Sequence, residues 1–165
     1  SWLAAHYDDL VEWRRHIHRH PELGRQEFAT TQFVADRLVE AGLNPKVLPG
    51  GTGLTCDFGP EHAPRIALRA DMDALPMAER TGAPFSSTVP NVAHACGHDA
   101  HTAMLLGALG WSAYDAPAEI ITPYFGASGT GQINAVFPVT PQDGRAIPKA
   151  TASAAEGFST VATRL

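Results

Sequence analysis

The order of elements read from the sequence predicts an α/β layered domain, and three observations carry that expectation. Helical spacing of apolar residues fills the first forty positions. Short apolar runs separated by glycines come next, and helical spacing returns after residue 98. With 165 residues, 44% of them hydrophobic, the chain can bury a core.

From Leu3 to Arg19, the residues Leu3, Tyr7, Leu10, Trp13 and Ile17 recur at spacings of three and four and predict an amphipathic helix that Pro21 ends. Its last turn, "WRRHIHRH", is cationic and complements the negative end of the helix dipole. A second helix is expected from Glu27 to Ala41, with Phe28, Ala35, Leu38 and Val39 inward and Gly42 as terminator. "PKVLPGGTGLTCDFG" reads as two short strands around a glycine turn, and "RIALRADMD" as a third strand ending in acids. Residues from "MAERTG" to "VPNVAH" read as loop, before a helix at "HTAMLLGAL" packs through Met104, Leu105 and Ala108.

Beyond Gly110 the composition shifts to Ala, Gly, Pro, Ser and Thr. The expected organisation is therefore a partial catalytic domain over 1–110 and a tail of unrelated or uncertain structure over 111–165. The apolar runs "EIITPYF" and "INAVFPV" are interrupted or closed by proline, which removes a ladder donor, so both are expected to be edge strands at best. "KATASAAEGFSTVATRL" reads as a weak helix broken at Gly157.

Bulk properties exclude several functions. A formal charge of −5 without a Lys/Arg run argues against nucleic acid. No apolar stretch approaches the ~20 residues needed to cross a bilayer, and the N-terminus lacks a signal-peptide layout, so a cytoplasmic protein with no membrane partner is expected. Two cysteines, Cys56 and Cys96, make no disulfide framework. "GASGTG" at 126–131 has the look of a phosphate-cradling turn, but Pro138 would interrupt a helix after it and no acid stands where a ribose would need it.

Two motifs carry chemistry. In "RADMDALP", Asp71 and Asp73 alternate at a strand end, which is expected to turn both to one side where open α/β sheets place their sites; capping of the next turn is the other reading. In "HACGHDAHT", Cys96 and His98 alternate before a helix, and thiolate and imidazole both suit zinc, cobalt, nickel or manganese. His101, one turn on, can ligate or support, and Asp99 can take the proton of a ligating imidazole and fix its tautomer. His16 and His20 are four apart and could chelate, although an exposed cationic helix end accounts for them more simply. Cys56, in an apolar run, reads as a packed core thiol.

Together "HIHRHPELGRQEF", "RIALRADMDALPM" and "HACGHDAHTAMLLGA" resemble the N-terminal part of the metal-dependent amidohydrolases and metallopeptidases that include hippurate hydrolase, indole-acetyl-amino-acid hydrolases and N-acyl-amino-acid aminoacylases, relatives of carboxypeptidase G. The resemblance runs from about Trp13 to Ala108. It implies a layered catalytic α/β domain with two divalent ions per site, and an inserted dimerisation domain for which this chain has no room. It also implies hydrolysis of the amide of a small N-acyl amino acid, and a possible homo-oligomer. By the same resemblance Cys96 and His98 are metal ligands, Asp73 is the catalytic-site acid that orients a metal partner, and Asp71 stands beside it. The family's Glu-Glu pair and later histidines have no counterpart: no histidine follows His101, and the tail's glutamates, Glu119 and Glu156, stand singly. The expectation is an incomplete amidohydrolase site; the alternative is a truncated, non-catalytic remnant binding at most one metal weakly. The tail's composition is also what an out-of-frame reading of a GC-rich gene would give.

Overall fold

Helix spacing and turn residues translate directly into the first elements. The computed structural model describes residues 2–60, 62–63, 65–114 and 120–127. A short α1 (Trp2–Ala5) and α2 (Tyr7–Arg19) divide the first predicted helix at His6; α3 is Phe28–Glu40, and α4 is His98–Tyr114. The strands are β1 (Lys46–Val47), β2 (Leu54–Thr55), β3 (Arg65–Asp71) and β4 (Ile120–Gly126). Pro21 follows the end of α2, and Gly42, at φ +78°, follows α3, both where the sequence placed them. α4 runs four residues past Gly110.

The four strands form one sheet in the order β1-β2-β4-β3. β1 and β2 are an antiparallel hairpin, β2 pairs antiparallel with β4, and β3 pairs parallel with β4 over seven residues. This corrects the expectation that "EIITPYF" makes an edge strand: it lies between β2 and β3. Proline is tolerated there for a specific reason. The Pro123 carbonyl accepts from the Cys56 amide at 3.3 Å, and the return bond, needing the hydrogen that proline lacks, is where the β2 ladder stops. "INAVFPV", "KATASAAEGFSTVATRL", Glu119, Glu156 and most of "GASGTG" lie outside the described residues.

The core sits between the sheet and the helices. Val34, Ala35 and Leu38 of α3, and Leu105, Leu106 and Leu109 of α4, meet Leu54, Cys56, Ala70, Met72 and Phe125. Cys56 is thus a core thiol, as expected. The inward stripe of α3 differs from the sequence reading: Thr31, Val34, Ala35 and Leu38 face in, while Phe28 and Val39 are exposed, as are Tyr7 and Met104. Hydroxyls can face a core when bonded, and Thr31 Oγ1 accepts the Gly53 amide at 2.8 Å while Thr30 Oγ1 donates to Glu22 at 2.8 Å. Glu22 also accepts from the Ala29 and Thr30 amides, capping α3 from outside the helix.

Gly53 combines two constraints. Its φ is +77°, and a Cβ there would stand 2.9 Å from the Phe125 carbonyl oxygen, a backbone atom that cannot swing away. Gly53→Ala is expected to lower the unfolding free energy by about 1–3 kcal/mol, read from urea denaturation.

Candidate functional site

A parallel strand pair needs a crossover, and here it is the 72–97 loop followed by α4. The chain leaves β3 at Asp71 and re-enters a helix at His98, so the start of α4 stands beside the strands' carboxyl end. Hydrogen bonds from two side chains record that juxtaposition. Thr102 Oγ1 donates to the Asp71 carbonyl at 3.1 Å, and His98 Nδ1 donates to Asp73, at 2.9 Å to its carbonyl and 3.1 Å to Oδ1.

The His98 bonds have a chemical consequence. A donating Nδ1 leaves the lone pair on Nε2, the arrangement that prepares an imidazole to ligate a metal. The hydrogen bond to Asp73 raises the pKa of His98 above its ordinary value, against the opposing effect of burial, with Asp71 adding to it from farther off. Asp71 itself is held by Arg69 Nε at 2.7 Å. The two strand-end acids therefore serve different partners and do not act as a pair.

Cys96 is exposed in the turn before α4, followed by Gly97 at φ +83°. The Gly97 carbonyl accepts the Ala100 and His101 amides and so opens the helix. His101 is exposed, its ring centre 5.9 Å from that of His98.

Asp99 lies elsewhere than expected. Its side chain has no exposed surface, and Oδ2 accepts from His18 Nδ1 and from Arg14 Nε, each at 2.7 Å. The imidazole it orients is therefore His18 on α2, while His98 is oriented by Asp73. Neighbouring residues on a helix point about 100° apart, which keeps Asp99 from reaching back to His98. The other His18 nitrogen meets Glu79 Oε1 at 3.0 Å. Arg14 Nη2 also lies 3.2 Å from His18 Nδ1. Arg14, His18, Asp99 and Glu79 thus form one polar cluster that joins α2, the first turn of α4 and the 72–97 loop.

Sequence reasoning missed Arg14, His18 and Glu79, because their partners lie 61 to 85 positions away. It also missed His94 and Glu27. His94 is buried with neither ring nitrogen hydrogen-bonded; burial above all holds its pKa down to about 4, with Asp99 opposing. Glu27 is buried with both carboxyl oxygens lacking a well-directed partner, and burial raises its pKa. The histidine-rich stretch "HIHRHPEL" and the run "HACGHDAH" were the available signals.

Whether this set suits a divalent ion is a matter of donor count. Cys96 and His98 have the right chemistry, and the tautomer of His98 is fixed for ligation. Among the described residues, however, no three His, Cys, Asp or Glu side chains are grouped to share an ion. Catalytic ions usually need three protein donors, so the described residues do not complete such a site. The nearby carboxylates are also committed: Asp71 to Arg69, Asp73 to His98, Asp99 to His18 and Arg14, Glu79 to His18.

Comparison with known proteins agrees with this geometry. The profile of Peptidase family M20/M25/M40 matches residues 67–114, the span from β3 through α4. N-acetyl-L-cysteine deacetylase of Bacillus subtilis is 49% identical over 107 residues, covering 64% of this chain and 26% of that protein. A Rhodococcus jostii protein, provisionally named glutamate–cysteine ligase 2-3, is 59% identical over 115 residues, covering 70% of this chain and 13% of that protein. The solved structure of Bacillus subtilis YXEP, described as a dinuclear metal binding peptidase from the M20 family, superimposes with a TM-score of 0.71 at 37% identity. That match covers 74% of this chain and 35% of that one.

The fold matches part of the α/β layer of a solved M20 peptidase structure. Residues 67–114 thus resemble the M20/M25/M40 peptidase family, and the chain spans about a quarter of the length of a curated relative such as the deacetylase. No helix among the described residues is long and apolar enough to cross a membrane.

Glu79 provides a pH test of the buried cluster. Burial opposes its ionisation, but the Ser87 amide, the Thr81 hydroxyl and His18 outweigh it and lower its pKa from 4.5 to about 2. A depressed folded-state value means its stabilisation is present above pH 4.5 and lost as the pH falls toward 2. The stability gap between the unaltered chain and Glu79→Gln is expected to be widest above about pH 5 and to close on acidification, as measured by urea unfolding across pH.

Proposed function

We propose that this chain contributes the Cys96–His98 part of a divalent-metal site in an amidohydrolase that cleaves the amide of small N-acyl amino acids. The observation that carries this reading is the Asp73–His98 contact, which leaves His98 Nε2 free to ligate two positions from an exposed thiol. The names of the similar proteins support the reaction class. Zinc, manganese, cobalt and nickel all suit such a donor pair. In this reading Asp73 is a positioning residue, fixing the tautomer of His98, and His101 supports from the first turn of α4.

Amide hydrolysis also requires an activated water and a group that moves its proton to the leaving nitrogen. The committed carboxylates do neither, so further donors and a base must join those described. A second reading, a non-catalytic chain holding one ion weakly, is favoured by the lack of a third grouped donor among the described residues.

Cobalt loading distinguishes these outcomes. The unaltered chain is expected to show thiolate-to-cobalt absorption that Cys96→Ala abolishes and Asp73→Asn weakens about 10- to 100-fold in affinity. Turnover of N-acetyl amino acids with added manganese or zinc, lost in Cys96→Ala, supports the hydrolase; loading without turnover supports the second reading. A cobalt spectrum unchanged in Cys96→Ala overturns both.

A further inference from the structure

The C-terminal turn of α2 carries a second pair of imidazoles that the Cys96–His98 site does not use. His16 and His20 are four residues apart, with ring centres 4.7 Å apart and planes tilted by 48°; both are exposed. From these observations we infer a separate surface site for a late first-row divalent ion, copper, nickel or zinc, at His16 and His20.

Three features prepare the pair. His20 Nδ1 donates to the His16 carbonyl at 2.9 Å, which leaves the His20 lone pair on Nε2. The bond is local to the helix end, where His20 is the C-cap residue, so helix formation itself sets the tautomer. His16 stacks on Phe33 of α3, ring centres 4.4 Å apart and nearly parallel, which restricts its ring through the face. Both imidazoles, with Ile17, Ala29 and Thr30, line a small cleft between α2 and the start of α3.

The spacing agrees with coordination. With each nitrogen about 2 Å from the ion and about 1.1 Å from its ring centre, centroids 4.7 Å apart subtend about 99° at the ion. That angle lies between square-planar and tetrahedral values, and two histidines at i and i+4 are an established helical chelate. Arg19 and Arg37 stand near enough to repel a cation and keep the affinity modest.

The test is a Cu²⁺ titration of the full chain carrying Cys96→Ala, which removes the thiol site, followed through histidine ring signals by NMR. The expected result is joint broadening of the His16 and His20 signals at substoichiometric copper, ahead of those of His6 and His62. His16→Gln and His20→Gln should each weaken copper binding at least tenfold with unchanged circular dichroism. Equal broadening of all surface histidines, or affinity unchanged in both variants, would overturn the site.

Discussion

The Asp99 carboxylate, buried without exposed surface at the start of α4, is the constraint on which the local architecture depends. A charge in that position is tolerated only when paired, and removing the partners of a buried ion typically costs about 3–5 kcal/mol. Arg14 and His18 of α2 supply the pairing, so the first turn of α4 cannot shift without breaking contacts to α2. The negative charge also sits favourably at the positive end of the α4 dipole.

That anchoring extends to the loop. His18 carries the constraint from Asp99 to Glu79, and Glu79 organises Thr81 and Ser87 around itself. The 72–97 crossover is thereby tied at its middle to α2 and at its ends to β3 and α4. Cys96 and His98 stand where that tethered path ends and α4 begins. Asp73 then fixes the one remaining freedom that matters for ligation, the tautomer of His98. The placing of Cys96 and His98 therefore depends on a polar cluster built from residues that hydrogen-bond to neither of them.

The parallel pairing of β3 with β4 sets where this can happen. It brings Asp71 level with Gly126 and closes the carboxyl end of the sheet with the Met72 amide on the Gly126 carbonyl at 2.8 Å. Sites in open α/β sheets gather at that end because the helix following each strand begins there. The same pairing brings residues from beyond position 110 into the sheet, so the compositional change at that point does not coincide with the end of the layer.

Local chemistry was legible from the sequence wherever short-range rules decide it. Pro21 and Gly42 mark helix ends, the glycine cluster marks the β1–β2 turn, and "HACGHDAHT" with "RADMDALP" marks the candidate site, because each rests on the backbone or side-chain preferences of adjacent residues. Which face of a helix is inward was less legible. The stripe of α3 passes through Thr31, whose hydroxyl finds a partner only once the Gly53 turn is folded against it. The central place of β4 was hidden because proline forbids one hydrogen bond, and only the strand order shows that this bond falls where β2 ends. Asp99 and Asp73 show the same division most sharply. Sequence alone determined that carboxylates and imidazoles would meet near residue 98. Tertiary structure decided which meets which, because helical geometry turns neighbours apart and folding brings together groups 25 and 81 positions distant.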